Sequence, residues 1–512
     1  MDPAHVQEQE TFFGRSRVFL AIVLLSLFIF GAGIRLYDLT DPPLDFHPTR
    51  QLRSAIIARG LYYRNLASAP EWQQQRAEEQ LAAHGLIEPP IFESIVALTY
   101  RVIGSDPLWV ARIYAILFWL IGGLALFALA RVMTSVDGAV IAQAYYLFLP
   151  FGIIASRSFQ PDPLMVMLIL LALWAICRWY QIRTWRWAIL AGVLAGAALF
   201  SKAVALFFVL FALGGLILLQ IGLRKAIKDP QVWVLGILAV LPVVAYHLYG
   251  IFVLKTLQSQ FEGRFFPEMW VDPAFYVRWM QAASNAAGYG AILAALVGVF
   301  LFSTAGKRAF AGGLWIGYAA YGMTFPFHIT THSYYQLPLV AIIALTLAPL
   351  GSLVFGKIAT LTPVLLVQAA IFLLLFFGIF FKAWDVRVEL ARTNYRNEPA
   401  YWQEIGDILG HDSSVVALTH DYGNRLAYYG WISPDIWLTS RHLENYRELR
   451  GGKPIDVQNW FAELTGNKDF FLVTLMNQLN EQPDLKEILY NNYTIYAKGD
   501  GYIIFDLRHP IQ

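Results

Sequence analysis

The stretch Gly33-Ile34-Arg35-Leu36-Tyr37-Asp38-Leu39-Thr40-Asp41-Pro42-Pro43-Leu44-Asp45-Phe46-His47-Pro48-Thr49-Arg50 ends one long apolar run and opens a crowded polar segment. Arg53 and Arg59 follow shortly after. A simple membrane anchor has no need of so many charged and imidazole groups where the chain leaves the bilayer. A site that handles a charged substrate at a membrane surface does.

Working outward, composition sets the class. Of 512 residues, 57% are hydrophobic and 14% are charged, and mean hydropathy is +0.50. A soluble chain carries about 25% charged residues. The deficit falls in apolar runs near the roughly 20 residues that a spanning helix needs. These runs are 18–36, 108–131, 136–154, 164–181, 187–201, 203–222, 232–254, 288–304, 309–327, 334–353 and 360–382. The reading is an α-helical polytopic membrane protein of about eleven spans. The 16 Trp, 26 Tyr and 36 Phe suit aromatic belts at the bilayer surfaces. A net charge of +2 gives no reason to expect nucleic acid as a partner. The single cysteine, Cys177, lies in an apolar run and can form no intrachain disulfide. The first apolar run lacks a small-residue cleavage pattern and reads as a retained helix.

Basic residues orient the spans. With Arg15 and Arg17 in the cytoplasm, the alternate connections hold Arg131; Arg183 and Arg186; Arg224, Lys225 and Lys228; Lys307 and Arg308; and Lys357. That is the positive-inside pattern. Segment 91–104 is too short to span, carries Glu93 and Arg101, and reads as an interfacial helix. Loops 37–107, 155–163, 255–287 and 328–333 then face outward, as does the chain end. The expected location is a bacterial inner membrane. Residues 1–384 form the membrane domain with its first outer loop at 37–107, and 385–512 an outer α/β domain. In the latter, Ser414–Thr419 and Phe470–Leu475 read as buried strands. Tyr493–Lys498 and Tyr502–Leu507 read as a hairpin, and Tyr401–Leu409 and Val457–Leu464 as helices.

The chemistry-bearing residues sit in the outer loops. Asp45 lies between Pro42-Pro43 and Pro48, which stiffen its backbone. A positioned carboxylate there can take a proton from an acceptor hydroxyl. The bland alternative is a loop carboxylate paired with a nearby arginine. His47 and Arg50 flank it as substrate-binding candidates. Asp162, before Pro163, fits a helix N-cap and would be held in place by that role. Lys202 separates two apolar runs; it can snorkel, or present a point charge to a lipid phosphate. Arg264 and Arg278 are further phosphate candidates. His332, Tyr334 and Tyr335 form a late outer cluster. The His328-x-x-x-His332 spacing could hold a metal on a helix, but Thr330 and Thr331 argue against helix there, and a substrate-facing rim is the preferred reading.

Taken in order, these features resemble the GT-C-type membrane glycosyltransferases of the protein mannosyltransferase and lipid A aminoarabinose transferase group, which are glycosyltransferase family 39-like. The matching residues are Gly33-Ile34-Arg35-Leu36-Tyr37, Asp45, Glu88-Pro89-Pro90, Gly104, Ala111-Arg112, Asp162, Ser201-Lys202 and Tyr334-Tyr335-Gln336-Leu337-Pro338. The resemblance implies transfer of a sugar from a polyprenyl-phosphate carrier to a lipid, glycan or protein acceptor at the outer face. It implies that Asp45 is the catalytic base, that Asp162 is a second acidic residue of the site, and that Lys202 lies near a lipid-linked phosphate. Glu88 would stand where the aminoarabinose enzymes contribute a carboxylate to a divalent metal. Loop 255–287 has no His to complete such a site. Many relatives have Asp-Glu in the first loop, where this chain has Asp45-Phe46.

The mechanism fits without the family. The anomeric carbon of a sugar on a lipid phosphate is already activated. One base and cations on the leaving phosphate suffice, and a single displacement inverts the centre. Hydrolases instead need two carboxylates. The competing class is a transporter or lipid-handling protein. It would place ionisable residues near the midplane and show repeated halves, whereas here the polar residues collect on one face.

Overall fold

The computed structural model describes residues 11–84, 87–255, 257, 265–361, 364–449 and 456–511. Compactness divides the chain into two units. One comprises Met1–Leu39, Leu86–Phe92 and Trp109–Thr393; the other comprises Thr40–Gly85, Glu93–Leu108 and Asn394–Gln512. Most of the first outer loop, residues 40–85 and 93–108, therefore folds with residues 394–512, although residues 109–393 of the chain lie between them.

The first unit is helical. Among the described residues, six of its helices are long and apolar enough to cross a membrane: Arg17–Leu36, Trp109–Met133, Pro161–Ile182, Pro230–Val253, Ser333–Leu361 and Leu365–Arg392. A seventh is counted if Pro273–Ala287 and Tyr289–Phe300, bent by 92°, form one span. The eleven expected apolar runs are all present as helices, but the count of eleven spans is not reached by this measure. Run 136–154 breaks at Leu149, which is extended ahead of Pro150, as a residue before proline prefers. Trp185–Ser201 and Ala205–Ile221 are apolar but shorter than a full crossing. On Leu365–Trp384, Leu366 and Leu374 are 81% and 75% exposed. Such a surface is costly in water and ordinary against lipid.

Two glycines set the packing that matters for the site. A Cβ on Gly313 would lie 2.2 Å from the Phe211 carbonyl, and one on Gly317 would lie 2.5 Å from that of Phe207. Only glycine lets helix Ala305–Thr324 approach helix Ala205–Leu216 so closely. The first of these helices leads into residues 326–336, and the second starts just after Lys202. Their contact brings those two stretches together.

In the second unit, β1 (Val415–Leu418), β2 (Asp435–Ile436), β3 (Phe470–Val473), β4 (Tyr493–Gly499) and β5 (Tyr502–Pro510) form one sheet in the order β2-β1-β3-β5-β4. β1 is parallel to β2 and β3, while β5 is antiparallel to β3 and β4. Alternate residues serve two cores. Val416, Leu418, Phe471, Val473, Ile503 and Phe505 lie in one. Val415, Ala417, Phe470, Leu472, Tyr502 and Ile504 lie in the other. This is the period of 2 expected of a sheet covered on both faces. The strands, hairpin and helices expected here form as read; the two-residue β2 is the one strand that went unread, being too short to show a pattern.

Helices Pro48–Tyr63 and Glu71–His84 of the first outer loop belong to this unit. Arg59 is 2% exposed. It donates to Ala427 O at 2.8 Å and Gln80 Oε1 at 2.6 Å, and also to Tyr428 O. Its guanidinium lies 3.8 Å from the Trp431 ring centroid and 4.5 Å from that of Tyr428. A planar cation that donates in several directions and also lies over two aromatic rings is work for Arg rather than Lys.

Candidate active site

Asp45 belongs to the second unit. Asp41, Pro42, Pro43 and Leu44 before it are buried, and Asp45 through Arg50 are half-buried. The Leu44 amide donates to Pro42 O at 2.8 Å, closing a three-residue turn across Pro43. His47 is the N-cap of helix Pro48–Tyr63, at a left-handed φ of 48°, which costs a non-glycine residue about 1 kcal/mol or more. Gln51 Nε2 donates to Phe46 O at 2.6 Å, and the Phe46 and His47 rings meet edge-on at 4.7 Å. The expectation of a stiffened segment holds, and two turns share the task with the prolines. Arg50 lies in the first turn of the helix, its amide donating to His47 O at 3.0 Å.

Asp162 and Lys202 belong to the first unit, and they meet. Lys202 Nζ donates to Asp162 Oδ1 at 2.8 Å and to Oδ2 at 3.0 Å. Asp162 is 1% exposed and Lys202 5%. Lys202 does not snorkel. It is the C-cap of helix Trp185–Ser201, in extended backbone, and its side chain is drawn inward by the carboxylate. Asp162 is not an N-cap. Proline suits the first helical position, and Pro161 takes it ahead of Pro163, leaving Gln160 as the cap. Asp162 then sits in the first turn, where the helix dipole favours a negative charge.

The late cluster closes over this pair. Lys202 Nζ lies 5.1 Å from the Tyr334 ring centroid and 5.3 Å from that of Tyr335, within cation–π range. Tyr335 stacks on Tyr321 at 5.5 Å and on His328 at 5.5 Å. His332 meets Tyr334 at 5.5 Å and His328 at 5.3 Å. Helix Pro326–Thr331 forms despite the two threonines and stops at His332. The hydroxyls of Thr330 and Thr331 bond back to Phe327 O, at 2.9 and 2.7 Å, rather than breaking the turn. Beside the ion pair in sequence, the side chain of Gln160 and the hydroxyl of Ser201 are buried with no hydrogen-bond partner among the described residues. Buried polar groups normally have one.

Of the other candidates, Glu88 is half-buried and interacts electrostatically with Tyr246. Among the described residues no group of three His, Cys, Asp or Glu is placed to hold a metal ion. Arg278 forms an exposed ion pair with Asp272 at 3.1 Å. Arg264 lies outside the described residues.

Several structural contributors went unread in the sequence. Arg35, fully buried, donates to Ser156 Oγ at 2.7 Å and to Leu147 O at 2.9 Å. Arg112 donates to Leu39 O at 3.0 Å and Arg157 to Asp38 O at 3.0 Å. Three arginines thus fix the end of the first helix and the chain just beyond it. Arg35, Arg112 and Arg157 were visible as charges near apolar runs, but backbone carbonyls as their partners have no sequence signature.

Residues 87–249 match the family described as dolichyl-phosphate-mannose-protein mannosyltransferase. No curated protein matches the chain in sequence. In fold the chain is similar to ArnT from Cupriavidus metallidurans in the apo state, with a TM-score of 0.56 and 13% identity over 95% of this chain and 98% of that one. ArnT bound to undecaprenyl phosphate matches with a TM-score of 0.51 and 13% identity over 95% and 97%. The archaeal oligosaccharyltransferase AglB from Archaeoglobus fulgidus, in complex with an inhibitory peptide and a dolichol-phosphate, matches with a TM-score of 0.52 and 12% identity over 96% and 74%. The chain carries the fold of the GT-C-type membrane glycosyltransferases.

Proposed function

We propose that this protein is an integral-membrane glycosyltransferase. It moves a hexosyl or pentosyl group from a polyprenyl-phosphate donor to an acceptor hydroxyl at the outer face, with inversion. The observation that carries the reading is the buried Asp162–Lys202 pair under Tyr334 and Tyr335. A buried ion pair adds little stability over an apolar replacement, so its presence favours a role in binding. Support also comes from the fold, shared with an ArnT bound to undecaprenyl phosphate and an AglB bound to a dolichol-phosphate.

Each group has one task in this reading. Asp162 orients the Lys202 ammonium, which keeps N–H capacity for a phosphate oxygen beyond the carboxylate it already meets. Because the pair is neutral as a whole, Lys202 offers a directed donor rather than net charge. The buried amide of Gln160 and the Ser201 hydroxyl add polar atoms that a phosphosugar can satisfy. His332, Tyr334 and Tyr335 present aromatic faces to the sugar. Asp45, with His47 and Arg50 beside it, accepts the proton of the attacking hydroxyl. The new glycosidic bond forms at the anomeric carbon as its bond to the phosphate oxygen breaks, and the polyprenyl phosphate leaves with the electron pair. No step is routed through a metal.

The test is transfer by the purified protein in liposomes from a polyprenyl-phosphate sugar, with mass spectrometry of the lipid that co-purifies. Polyprenyl phosphate in the wild-type preparation, depleted in Lys202→Ala, is the expected result. Equal amounts of polyprenyl phosphate in both, with no transfer by either, would reject the proposal.

A further inference from the structure

The candidate base sits on a segment that is fastened at both ends by the C-terminal residues of its own compact unit. Asp41, four residues before Asp45, is 5% exposed. Its Oδ1 accepts from the Tyr395 amide at 3.0 Å, and Arg396 Nη1 lies 3.8 Å away. Thr49, four residues after Asp45, is engaged through both its side chain and its backbone. Its hydroxyl donates to Asp421 Oδ1 at 3.4 Å, and its carbonyl accepts from Asn424 Nδ2 at 3.3 Å. The Thr49 bonds are long, but the groups that make them are firmly set. Asp421 and Tyr422 are consecutive non-glycine residues at left-handed φ values of 52° and 53°, a conformation that persists only where the surroundings over-determine it. The surroundings are visible: Arg425 Nε donates to Asp421 Oδ2 at 2.5 Å, and Arg425 Nη1 to Glu398 Oε2 at 3.0 Å. This loop follows directly on β1, at the carboxyl end of a parallel strand, where open α/β sheets gather their functional residues.

From this we infer that the C-terminal α/β domain is a positioning device for the candidate base: Asp41 and Thr49, held by Tyr395, Asp421 and Asn424, fix the backbone that carries Asp45. The inference rests on the reading of Asp45 as the base. It gives the C-terminal domain a catalytic purpose without requiring it to touch donor or acceptor. It also explains why an exacting ion-pair network and two left-handed residues lie so far in sequence from the segment they serve. A general base must sit within hydrogen-bond reach of the proton it takes, and misplacement by about 1 Å can cost roughly a hundredfold in rate.

The experiment uses the full-length protein in lipid nanodiscs. Asp41→Ala and Thr49→Val each remove one fastening. Amide exchange across residues 44–51 should accelerate, kcat should fall by about ten- to a hundredfold, and the KM for the polyprenyl-phosphate sugar should stay unchanged. Asp41→Asn and Thr49→Ser keep the bonding oxygen and should restore the rate. In an Asp45→Asn background, adding Asp41→Ala or Thr49→Val should cost nothing further on the residual rate. Should Asp41→Ala fail to fold, the half-buried Thr49→Val carries the same test. Equal losses in both backgrounds would mean general destabilisation and would overturn the positioning role. An inactive Asp45→Asn beside fully active Asp41→Ala and Thr49→Val would overturn it while leaving the base in place. A fully active Asp45→Asn would remove the base, and the positioning role with it.

Discussion

Lys202 and Asp162, forty residues apart, form an ion pair in which one ammonium bonds both oxygens of one carboxylate at 2.8 and 3.0 Å. The pair is almost fully buried. Its two members should therefore answer mutation unequally on stability and on donor binding. Lys202→Met leaves the Asp162 charge buried and unpaired, at a cost of about 3–5 kcal/mol. The double variant Lys202→Met/Asp162→Leu removes both charges and should recover most of that stability. Thermal unfolding in detergent reads the first quantity, and co-purified lipid reads the second. Donor binding should stay lost in the stable double variant. A double variant that melts normally and retains its lipid would restrict the pair to a structural role.

The orientation of the chain is open to direct labelling. In a Cys177→Ser background, single cysteines at Thr331 and Ser413 should react with an impermeant maleimide on intact cells. Cysteines at the exposed Thr184 and Ser303 should react only after permeabilisation. This follows from the basic residues that flank the expected cytoplasmic connections. Reaction of Thr184→Cys on intact cells would invert the topology and place Asp45 on the wrong face for an outer acceptor.

His84 makes the second unit sensitive to acid. Burial, then the nearby Arg53 and Arg59 guanidiniums, hold its imidazole down to about 4, against a weaker opposing bond with Asn424. An unfolded chain takes up this proton as pH drops through about 6.5, and the folded chain does so only near the lower value. The stabilisation is complete above the unfolded pKa and is lost as pH falls between the two, by at most about 3 kcal/mol. His420, also lowered by burial and then by Arg425, acts in the same direction. Amide protection in Glu71–His84 and Asn424–Tyr429 should drop between pH 7 and 4.5. His84→Gln should flatten much of that dependence, and an unchanged profile in the variant would exclude His84 as its source.

What could be read from the sequence follows the range of the interactions involved. Hydropathy runs and basic flanks are local, and the helices of the first unit lie where they predict. The short continuous apolar runs of Val415–Leu418 and Phe470–Val473 are local too, as is the Gly499-Asp500-Gly501 turn of the hairpin. A break such as Leu149-Pro150 is not legible, because it shortens a helix without interrupting its hydropathy. The pairing of Asp162 with Lys202 was not legible, since each was read on its own element and the contact depends on tertiary packing. Least legible was the union of the first outer loop with the C-terminal domain. It rests on single polar contacts such as Asp41 to the Tyr395 amide and Arg59 to the carbonyls of Ala427 and Tyr428. No periodicity encodes a side chain bonding a backbone group more than 350 residues away.

The decisive substitution is Asp45→Asn. The segment around it is set by the Pro42–Leu44 turn, the left-handed His47 and the Gln51–Phe46 bond. Asparagine matches aspartate in shape and volume but loses the charge and basicity of the carboxylate, so the fold around it should persist. General-base catalysis contributes about 100- to 10,000-fold. Transfer should therefore fall by at least about a hundredfold, while expression, melting temperature and co-purified polyprenyl phosphate stay near wild type. Asp162→Asn should behave differently. It weakens the hold on Lys202, so the donor KM should rise and melting temperature should fall along with the rate. Steady-state kinetics with varied donor and varied acceptor separate the two patterns. Near-normal turnover by a well-folded Asp45→Asn protein would show that the acceptor proton leaves by another route and would end this assignment of the base.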